Sequence, residues 1–141
     1  MDKTKLNKHF ILASSSKRRL ELLSQIGIKP DLILSPNIDE NIFSKELPRI
    51  YVERMSLEKN KVFQQKYPES IILTADTVVS VGRRILPKTM DINTAEECLK
   101  LISGRRHKVF TSFTLHSPNN SLKTKTIQSI IKFKRLHPNE I

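Results

Sequence analysis

Short hydrophobic runs along the chain predict β-strands. Residues 10–14 and the segment DLILS (31–35) are compact apolar runs, and Pro36 ends the second. A longer run rich in β-branched residues, SIILTADTVVSVG, predicts another strand near the middle of the chain. Two alternating segments separated by PNNS predict a long hairpin over residues 107–136.

Apolar residues at the spacing of one helix face predict helices between these strands. The first covers residues 17–26, and the second covers about residues 48–67, with a proline near its start and another just beyond its end. The third covers residues 93–102, with Asn93 or Thr94 as its N-cap. Strands that alternate with helices predict an α/β fold.

The last five residues, HPNEI (137–141), resemble the opening of a further helix. Pro138 suits a first helical position, and Glu140 suits the first turn, where the helix dipole favours an acid. A helix shorter than about 12 residues is marginal in isolation. The pattern therefore predicts that a C-terminal part of the domain is missing from this chain.

The segment ILASSSKRRLELL (11–23) places serines and cations between a strand and a helix. Ser16 is a suitable N-cap, and the free backbone N–H groups of a first helical turn attract anions. Lys17, Arg18 and Arg19 lie where the helix dipole disfavours cations, so helix stability alone does not explain them. Two explanations stay open: a bound phosphate chain, whose oxygens match the guanidinium fork, or a solvated basic turn.

The charge of the chain favours an anionic partner. Its 25 lysines and arginines against 14 aspartates and glutamates give a formal net charge of +11, which suits nucleic acid, an acidic membrane surface or a nucleotide. Residues 31–58 hold six acids and three cations, unlike a protein that wraps uniformly around nucleic acid. Aromatic residues make up 6% of the chain and tryptophan is absent, which argues against a single-strand binder that stacks bases.

Cysteine content and apolar runs exclude other classes of protein. Cys98 is the single cysteine, so the chain has no intramolecular disulfide framework and no multi-cysteine zinc site. No run approaches the ~20 apolar residues of a membrane span, and the polar start MDKTKLNKHF lacks the apolar core of a signal peptide. We therefore expect a cytoplasmic protein without a membrane span.

Five charged side chains are candidates for chemistry from their local context. Asp76 interrupts the apolar segment IILTADTVVSV, and a buried carboxylate needs solvent, a cation or a metal ion, so a structural ion pair and a functional site both stay open. Asp39 and Glu40 offer oxygens to Mg²⁺, although a solvated acidic loop explains them more simply. Lys59 fits a salt-bridged helix face equally well. Lys88 follows an apolar segment and a proline, which places it on a loop.

Six segments, taken in order, resemble the successive motifs of the Maf family of nucleotide pyrophosphatases: ILASSSKRRLELL, IDE, YVERMSLEKNK, TADTVV, RILPKTMD and LISGRRHKVFTS. The resemblance runs from about Phe10 to the last residue. It implies an α/β fold with a mixed, elongated sheet, flanking helices and a cleft between two lobes, similar to inosine triphosphate pyrophosphatases. It also implies hydrolysis of nucleoside triphosphates, including non-standard or modified ones, to the monophosphate and pyrophosphate, and a link to arrest of septum formation.

The same resemblance assigns roles to individual residues. It implies that six polar or cationic side chains hold the substrate phosphates: Ser14, Ser16, Arg18, Arg19, Lys59 and Lys88. Asp76 matches the acid taken as catalytic, and Glu40 and Asp76 are implied to hold a divalent cation, Mg²⁺ being the first choice. Lys17 replaces the proline usual in the family, and PKT replaces the usual GKP around Lys88.

The resemblance also predicts how the chain is organised. Residues 1–9 form a polar N-terminal lead, and residues 10–141 form a single Maf-like domain that lacks its C-terminal third, so that the second lobe is incomplete. The family's Gly-rich segment that lines the cleft belongs to that third.

Two other functions stay open from the sequence. The chain could be an inactive remnant that only binds nucleotides or polyanions, or a general nucleic-acid-binding domain, against which the acidic middle and the scarce aromatic residues argue. A nucleoside triphosphate is the expected partner, whereas nucleic acid and a membrane are not expected. A homodimer stays open.

Overall fold

Residues 9–119 and 121–141 are described by a computed structural model, so most of the predicted N-terminal lead, and the prediction made for it, lies outside the described residues. The described residues form six strands and three helices, in the order β1 (Phe10–Ala13), α1 (Lys17–Gln25), β2 (Leu32–Leu34), α2 (Pro48–Gln64), β3 (Ile71–Val81), β4 (Arg84–Leu86), α3 (Ile92–Ile102), β5 (Arg106–His116) and β6 (Leu122–Lys132). The predicted strands, helices and hairpin are present, and the predicted α/β fold is confirmed.

The strands form one mixed sheet with the order β2-β1-β3-β5-β6, and the short β4 pairs with β3. β1 is parallel to both β2 and β3. β5 is antiparallel to both of its neighbours, β3 and β6, with Ile72 opposite His116 and Ser80 opposite Lys108 at the ends of the β3–β5 register. A short parallel part therefore continues into a long antiparallel part, which makes the sheet mixed and elongated.

Helix α2 covers one face of this sheet. Three of its buried residues pack with one residue each from β3 and β5 in a single hydrophobic cluster: Tyr51, Val52, Met55, Val78 and Phe110. A second cluster joins the end of α2 to the parallel strands, through Phe63 packed with Ile11, Ala13 and Ile72. Burial of these apolar surfaces fixes α2 across both parts of the sheet.

Buried hydrogen bonds also join α2 to the sheet. The Asn60 Nδ2 group donates to the carbonyl oxygens of Ile72 and Thr114, each at 3.0 Å. The Thr74 hydroxyl donates to the carbonyl oxygen of Ser56 at 2.6 Å. Because a buried carbonyl without a partner costs about 1–3 kcal/mol, these bonds fix where α2 lies along β3 and β5.

The predicted N-cap of α3 is wrong. The N-cap is Asp91, whose Oδ2 accepts hydrogen bonds from the backbone N–H of Thr94 at 3.0 Å and from its hydroxyl at 2.8 Å. Asp, Asn and Thr are all good N-caps and follow one another closely here. Local composition therefore left the choice open, and the path of the chain out of β4 decided it.

Two short segments differ from the sequence-based expectation. The sequence predicted no strand in RRIL, yet β4 forms there after a tight turn at Gly82, whose φ of +59° suits glycine. The segment HPNEI, whose pattern is typical of a helix start, forms one turn. In this turn the Glu140 N–H donates to the His137 carbonyl at 2.9 Å. Among the described residues, no helix has the length and apolar character needed to cross a membrane.

Candidate active site

The junction between β1 and α1 is built from serine hydroxyls. Ser16 is the N-cap of α1, as predicted, and its Oγ accepts from the Arg19 backbone N–H at 3.3 Å. The buried Ser14 Oγ accepts from the Ser16 N–H at 3.2 Å and from Arg19 Nη1 at 3.0 Å. A hydroxyl that accepts a hydrogen bond keeps its own proton to donate. Both serines can therefore still donate to an anion at this helix N-terminus.

Arg19 turns back towards the sheet. Its Nη2 donates to Thr77 Oγ1 on β3 at 3.4 Å, in addition to its bond with Ser14. Partial burial lowers the pKa of Arg19, and the nearby Asp76 carboxylate acts in the opposite direction. Arg18 is exposed. Within the described residues it makes none of the hydrogen bonds that Arg19 makes to Ser14 and Thr77. The two neighbouring arginines thus lie in different surroundings.

Asp76 lies near the middle of β3, beyond the point where β1 stops pairing with that strand. Its side chain is 2% exposed. Its Oδ1 lies 2.9 Å from Lys59 Nζ and 3.8 Å from Lys88 Nζ. The expectation that this carboxylate needs a cationic partner is therefore met by two lysines, one from α2 and one from the loop after β4.

Lys59 joins two carboxylates from different parts of the chain. Its Nζ lies 2.9 Å from Asp76 Oδ1 and 3.1 Å from Glu40 Oε1. The alternative of a salt-bridged helix face holds for Arg54 and Glu58, which pair at 3.5 Å. It does not hold for Lys59, because both of its partners lie outside the helix. The lysine ammonium therefore lies between two anionic groups and offsets the charge of both.

The two acids of the segment NIDE have different partners. Glu40 reaches Lys59 from the loop between β2 and α2. Asp39 Oδ1 instead accepts the Asn41 N–H at 2.9 Å, which is a local loop contact. The explanation of a solvated acidic loop thus fits Asp39, whereas Glu40 pairs with Lys59, the partner of Asp76.

The structure brings most of the candidate residues into one region and adds Thr77, which the sequence did not single out. Thr77 accepts from Arg19 and shares a hydrogen bond of 3.0 Å with Thr111 on β5. Its position directly after Asp76 in TADT was the one available indication. The lysine and arginine groups provide donors for phosphate oxygens, and the two carboxylates provide acceptors for a water proton.

Glu40 and Asp76 are the carboxylates that could contribute to a divalent metal site. No group of three or more His, Cys, Asp or Glu side chains suited to a metal ion occurs within residues 9–119 and 121–141. Mg²⁺ is usually bound by one or two carboxylates, waters and substrate phosphates. The donor chemistry of Glu40 and Asp76 suits a cation held jointly with a triphosphate, and in this structure Lys59 is the cationic group that contacts both acids.

The sequence profile of the Maf-like protein family matches residues 9–141. The chain belongs to the Maf family. Two relatives are each 49% identical to it: the nucleoside triphosphate pyrophosphatase of Ehrlichia chaffeensis, over 133 residues, and the dTTP/UTP pyrophosphatase of Wolbachia sp. subsp. Drosophila simulans (strain wRi), over 134 residues. Each alignment covers 94% of this chain, and 69% and 68% of the relatives respectively.

Solved structures of more distant proteins share the fold. A nucleoside-triphosphatase / dITP/XTP pyrophosphatase from Mycobacterium abscessus superposes with a TM-score of 0.57 at 14% identity, covering 92% of this chain and 75% of that protein. The Staphylococcus aureus Ham1 protein superposes with a TM-score of 0.59 at 12% identity, covering 89% and 71%. At these identities the likeness concerns the fold alone. It agrees with the mixed, elongated sheet that the family resemblance implies.

Proposed function

We propose that this Maf-family chain is a hydrolase that converts nucleoside triphosphates or deoxynucleoside triphosphates to the monophosphate and pyrophosphate. The observation that carries the proposal is the buried Asp76 carboxylate held at 2.9 Å from Lys59 Nζ. Relatives that are 49% identical to the chain are named as nucleoside triphosphate pyrophosphatases, which supports this reaction and substrate class.

The phosphate chain of the substrate would lie at the junction of β1 and α1. There the free N–H groups at the N-terminus of α1 and the hydroxyls of Ser14 and Ser16 would donate to phosphate oxygens. Arg18, Arg19 and Lys88 would offset the negative charge. Cations placed where charge develops on the departing pyrophosphate lower the barrier to its release.

The reaction itself needs water and a proton acceptor. The water oxygen bonds to the α-phosphorus, while the bond from that phosphorus to the oxygen bridging the α- and β-phosphates breaks and pyrophosphate leaves with the electron pair. Asp76, the proposed catalytic residue, would orient the water and accept its proton, and Lys59 would hold Asp76 in place. A divalent cation bound by Glu40 and Asp76 would stabilise negative charge on the phosphates.

The choice of metal and the cellular compartment belong to this proposal. Mg²⁺ is the proposed cation, because it favours carboxylates combined with substrate phosphates. The cytoplasm is the proposed compartment, because a chain with a single cysteine, Cys98, needs no oxidising environment.

The experiment that tests the function measures pyrophosphate release from a panel of nucleoside triphosphates with Mg²⁺. Asp76→Asn removes the carboxylate charge at nearly constant size, and we expect kcat to fall at least about a hundredfold. Asp39→Asn is the matched control, because Asp39 makes a local loop contact. Its rate should stay within about threefold of the unsubstituted chain, since the asparagine side-chain oxygen can still accept the Asn41 N–H.

Two outcomes would contradict the proposal. Equal rates for the unsubstituted chain and Asp76→Asn would remove Asp76 from the mechanism. If the chain is folded by near-ultraviolet circular dichroism and releases no pyrophosphate, the proposed enzymatic activity is rejected. In that case, binding of the same nucleotides would favour the alternative of a protein that only binds them.

A further inference from the structure

Glu40 lies on a segment without helix or strand, residues 35–47, between β2 and α2. Its Oε1 meets Lys59 Nζ at 3.1 Å, yet its side chain is 54% exposed. Packing does not position a side chain that is so exposed on an irregular segment, because many of its rotamers stay accessible. The place of the Glu40 carboxylate beside Lys59 therefore depends on what holds the backbone of residues 35–47.

Arg54 on α2 holds this segment at three places. Its Nε and Nη2 donate to the two carboxylate oxygens of Glu46 at 2.7 and 2.8 Å, which is a two-point pair. Nη2 also donates to the backbone carbonyl of Asn41 at 2.9 Å, one residue from Glu40. The guanidinium carbon lies 3.8 Å from the centre of the Phe43 ring, in cation–π contact. One side chain of α2 thus fixes the segment from residue 41 to residue 46.

Tyr51 fixes the backbone of Glu40 itself. Its hydroxyl donates to the Glu40 carbonyl oxygen at 2.6 Å, and its ring is buried in the cluster between α2 and the sheet. Burial, followed by the negative charges of Asp76 and Glu40, raises the pKa of Tyr51 to about 12. The hydroxyl therefore stays protonated and donates at neutral pH. The backbone of residues 40 and 41 is thus joined to the same helix that carries Lys59.

We propose that Arg54 and Tyr51 are positioning residues of the active site. These two side chains, which we call the loop clasp, keep the Glu40 carboxylate beside Lys59 by holding the backbone of residues 40–46. The inference rests on the proposed function, because the effect of positioning Glu40 is measured as a rate of nucleotide hydrolysis. Arg54 acts through Glu40 rather than on the substrate.

The decisive experiment is a double-mutant cycle between the loop clasp and Glu40. Arg54→Lys keeps the positive charge but removes the planar fork, and we expect kcat/KM for pyrophosphate release to fall about tenfold. In a Glu40→Gln background the same substitution should change kcat/KM by less than about twofold, because the carboxylate that the clasp positions is already gone.

A matched control lies on the same helix. The Arg49 guanidinium lies 5.5 Å from the centre of the Phe110 ring, over the sheet. Arg49→Lys repeats the substitution without touching the loop clasp. It should leave kcat/KM within about twofold of the unsubstituted chain.

Backbone hydrogen exchange provides a readout that does not depend on activity. The Phe43 N–H donates to Glu46 Oε1 and the Glu46 N–H donates to the Phe43 carbonyl, each at 3.0 Å. Exchange of residues 40–46 should quicken in Arg54→Lys and stay unchanged in Arg49→Lys. Tyr51→Phe, which removes one hydroxyl, should act in the same direction, and it takes the place of Arg54→Lys if that variant does not fold.

Several results would overturn the inference. An equal loss of kcat/KM with and without the Glu40 carboxylate would show that Arg54 acts elsewhere, and unchanged exchange in residues 40–46 would show that it does not hold the segment. If the folded, unsubstituted chain releases no pyrophosphate, the proposed function fails and the inference fails with it. If the unsubstituted chain is active but the effects of Arg54→Lys and Glu40→Gln on kcat/KM are additive, the inference fails and the proposed function stands.

Discussion

At the scale of single residues, Asp76 places a buried carboxylate on β3. A carboxylate that is 2% exposed is costly unless cations and hydrogen bonds replace the water it has lost. Lys59 provides part of that compensation for Asp76, and it also pairs with the more exposed Glu40. The same contacts that make the fold tolerate the carboxylate therefore assemble the group proposed for catalysis.

Removing Lys59 should expose this dependence in the stability of the protein. We expect Lys59→Met to lower the free energy of unfolding by roughly 3 kcal/mol, because the Asp76 carboxylate is left without its nearest cation. Adding Asp76→Asn should restore part of that loss, since the buried charge is then removed as well. Urea unfolding of both variants measures the effect.

Lys61→Met is the control for this prediction, because Lys61 is exposed on the same helix. Its cost should be below about 0.5 kcal/mol. A cost for Lys59→Met that is no larger than this would show that the buried ion pair does not contribute to stability.

The Glu46 carboxylate should make stability depend on pH. The two-point hydrogen bond from Arg54 lowers the pKa of Glu46 below its ordinary value of 4.5. A depressed folded-state pKa contributes stability at neutral pH, and that stability is lost as the pH falls below about 4.5 and through the folded-state value. We expect Glu46→Gln to cost about 1–2 kcal/mol at pH 7 and less as the pH approaches 3.

Unfolding by urea at several pH values measures this trend. Glu58→Gln is its control, because Glu58 meets Arg54 at 3.5 Å and is more exposed. Such a pair contributes less than about 1 kcal/mol. A difference between the Glu46→Gln variant and the unsubstituted chain that does not shrink in acid would contradict the role given to the carboxylate charge.

At the scale of elements, α1 is held by its N-terminal cap more than by packing. None of its residues is buried, and its first turn contains no acid. The Ser16 hydroxyl, which accepts the Arg19 N–H, is therefore a large part of what keeps the helix N-terminus formed. The helix dipole disfavours cations at this N-terminus, and their presence there is consistent with a phosphate-binding site.

Two substitutions at Ser16 should separate capping from phosphate binding. Ser16→Ala removes the cap and should lower the free energy of unfolding by about 1 kcal/mol. Ser16→Asp retains a capping oxygen and should leave the free energy of unfolding nearly unchanged. It places a negative charge at the proposed phosphate site, so it should raise KM for the nucleoside triphosphate. Urea unfolding and steady-state kinetics measure the two effects, and an unchanged KM in Ser16→Asp would argue against phosphate at this junction.

At the scale of the whole molecule, the chain carries a formal net charge of +11, and the proposed site is itself rich in cations. Exposed charges act on an approaching anion over about 30 Å at 0.01 M salt and about 10 Å at 0.1 M. Buried pairs such as Asp76 and Lys59 are screened much less. Attraction of the triphosphate should therefore depend on salt more strongly than the chemical step.

We expect KM for the nucleoside triphosphate to rise severalfold between about 0.01 and 0.3 M NaCl while kcat changes less. Arg18→Gln, which removes an exposed cation at the junction, should raise KM at low salt and reduce its salt dependence. Arg106→Gln is the control, because Arg106 lies about 20 Å along β5 from Ser112, the residue opposite Asp76. A KM that is independent of salt would contradict electrostatic attraction of the substrate.

Local patterns predicted the elements of the sheet, because strand and helix periodicity, proline positions and the Ser16 cap act over a few residues. They did not predict β4 or the Asp91 cap, since a three-residue strand depends on its partner, and neighbouring polar residues suit the cap equally well. They identified Asp76 as a charge needing a partner, but did not identify Lys59 as that partner.

The sequence by itself determined the α/β order, the order of the motifs, and the types of side chain available for phosphate chemistry. Only the tertiary structure joined Lys59 to two carboxylates and brought Arg54 and residues 41–46 together. The physical reason is that these contacts join residues far apart in the chain. Their distances are set by how α2 packs on the sheet, which no local pattern specifies.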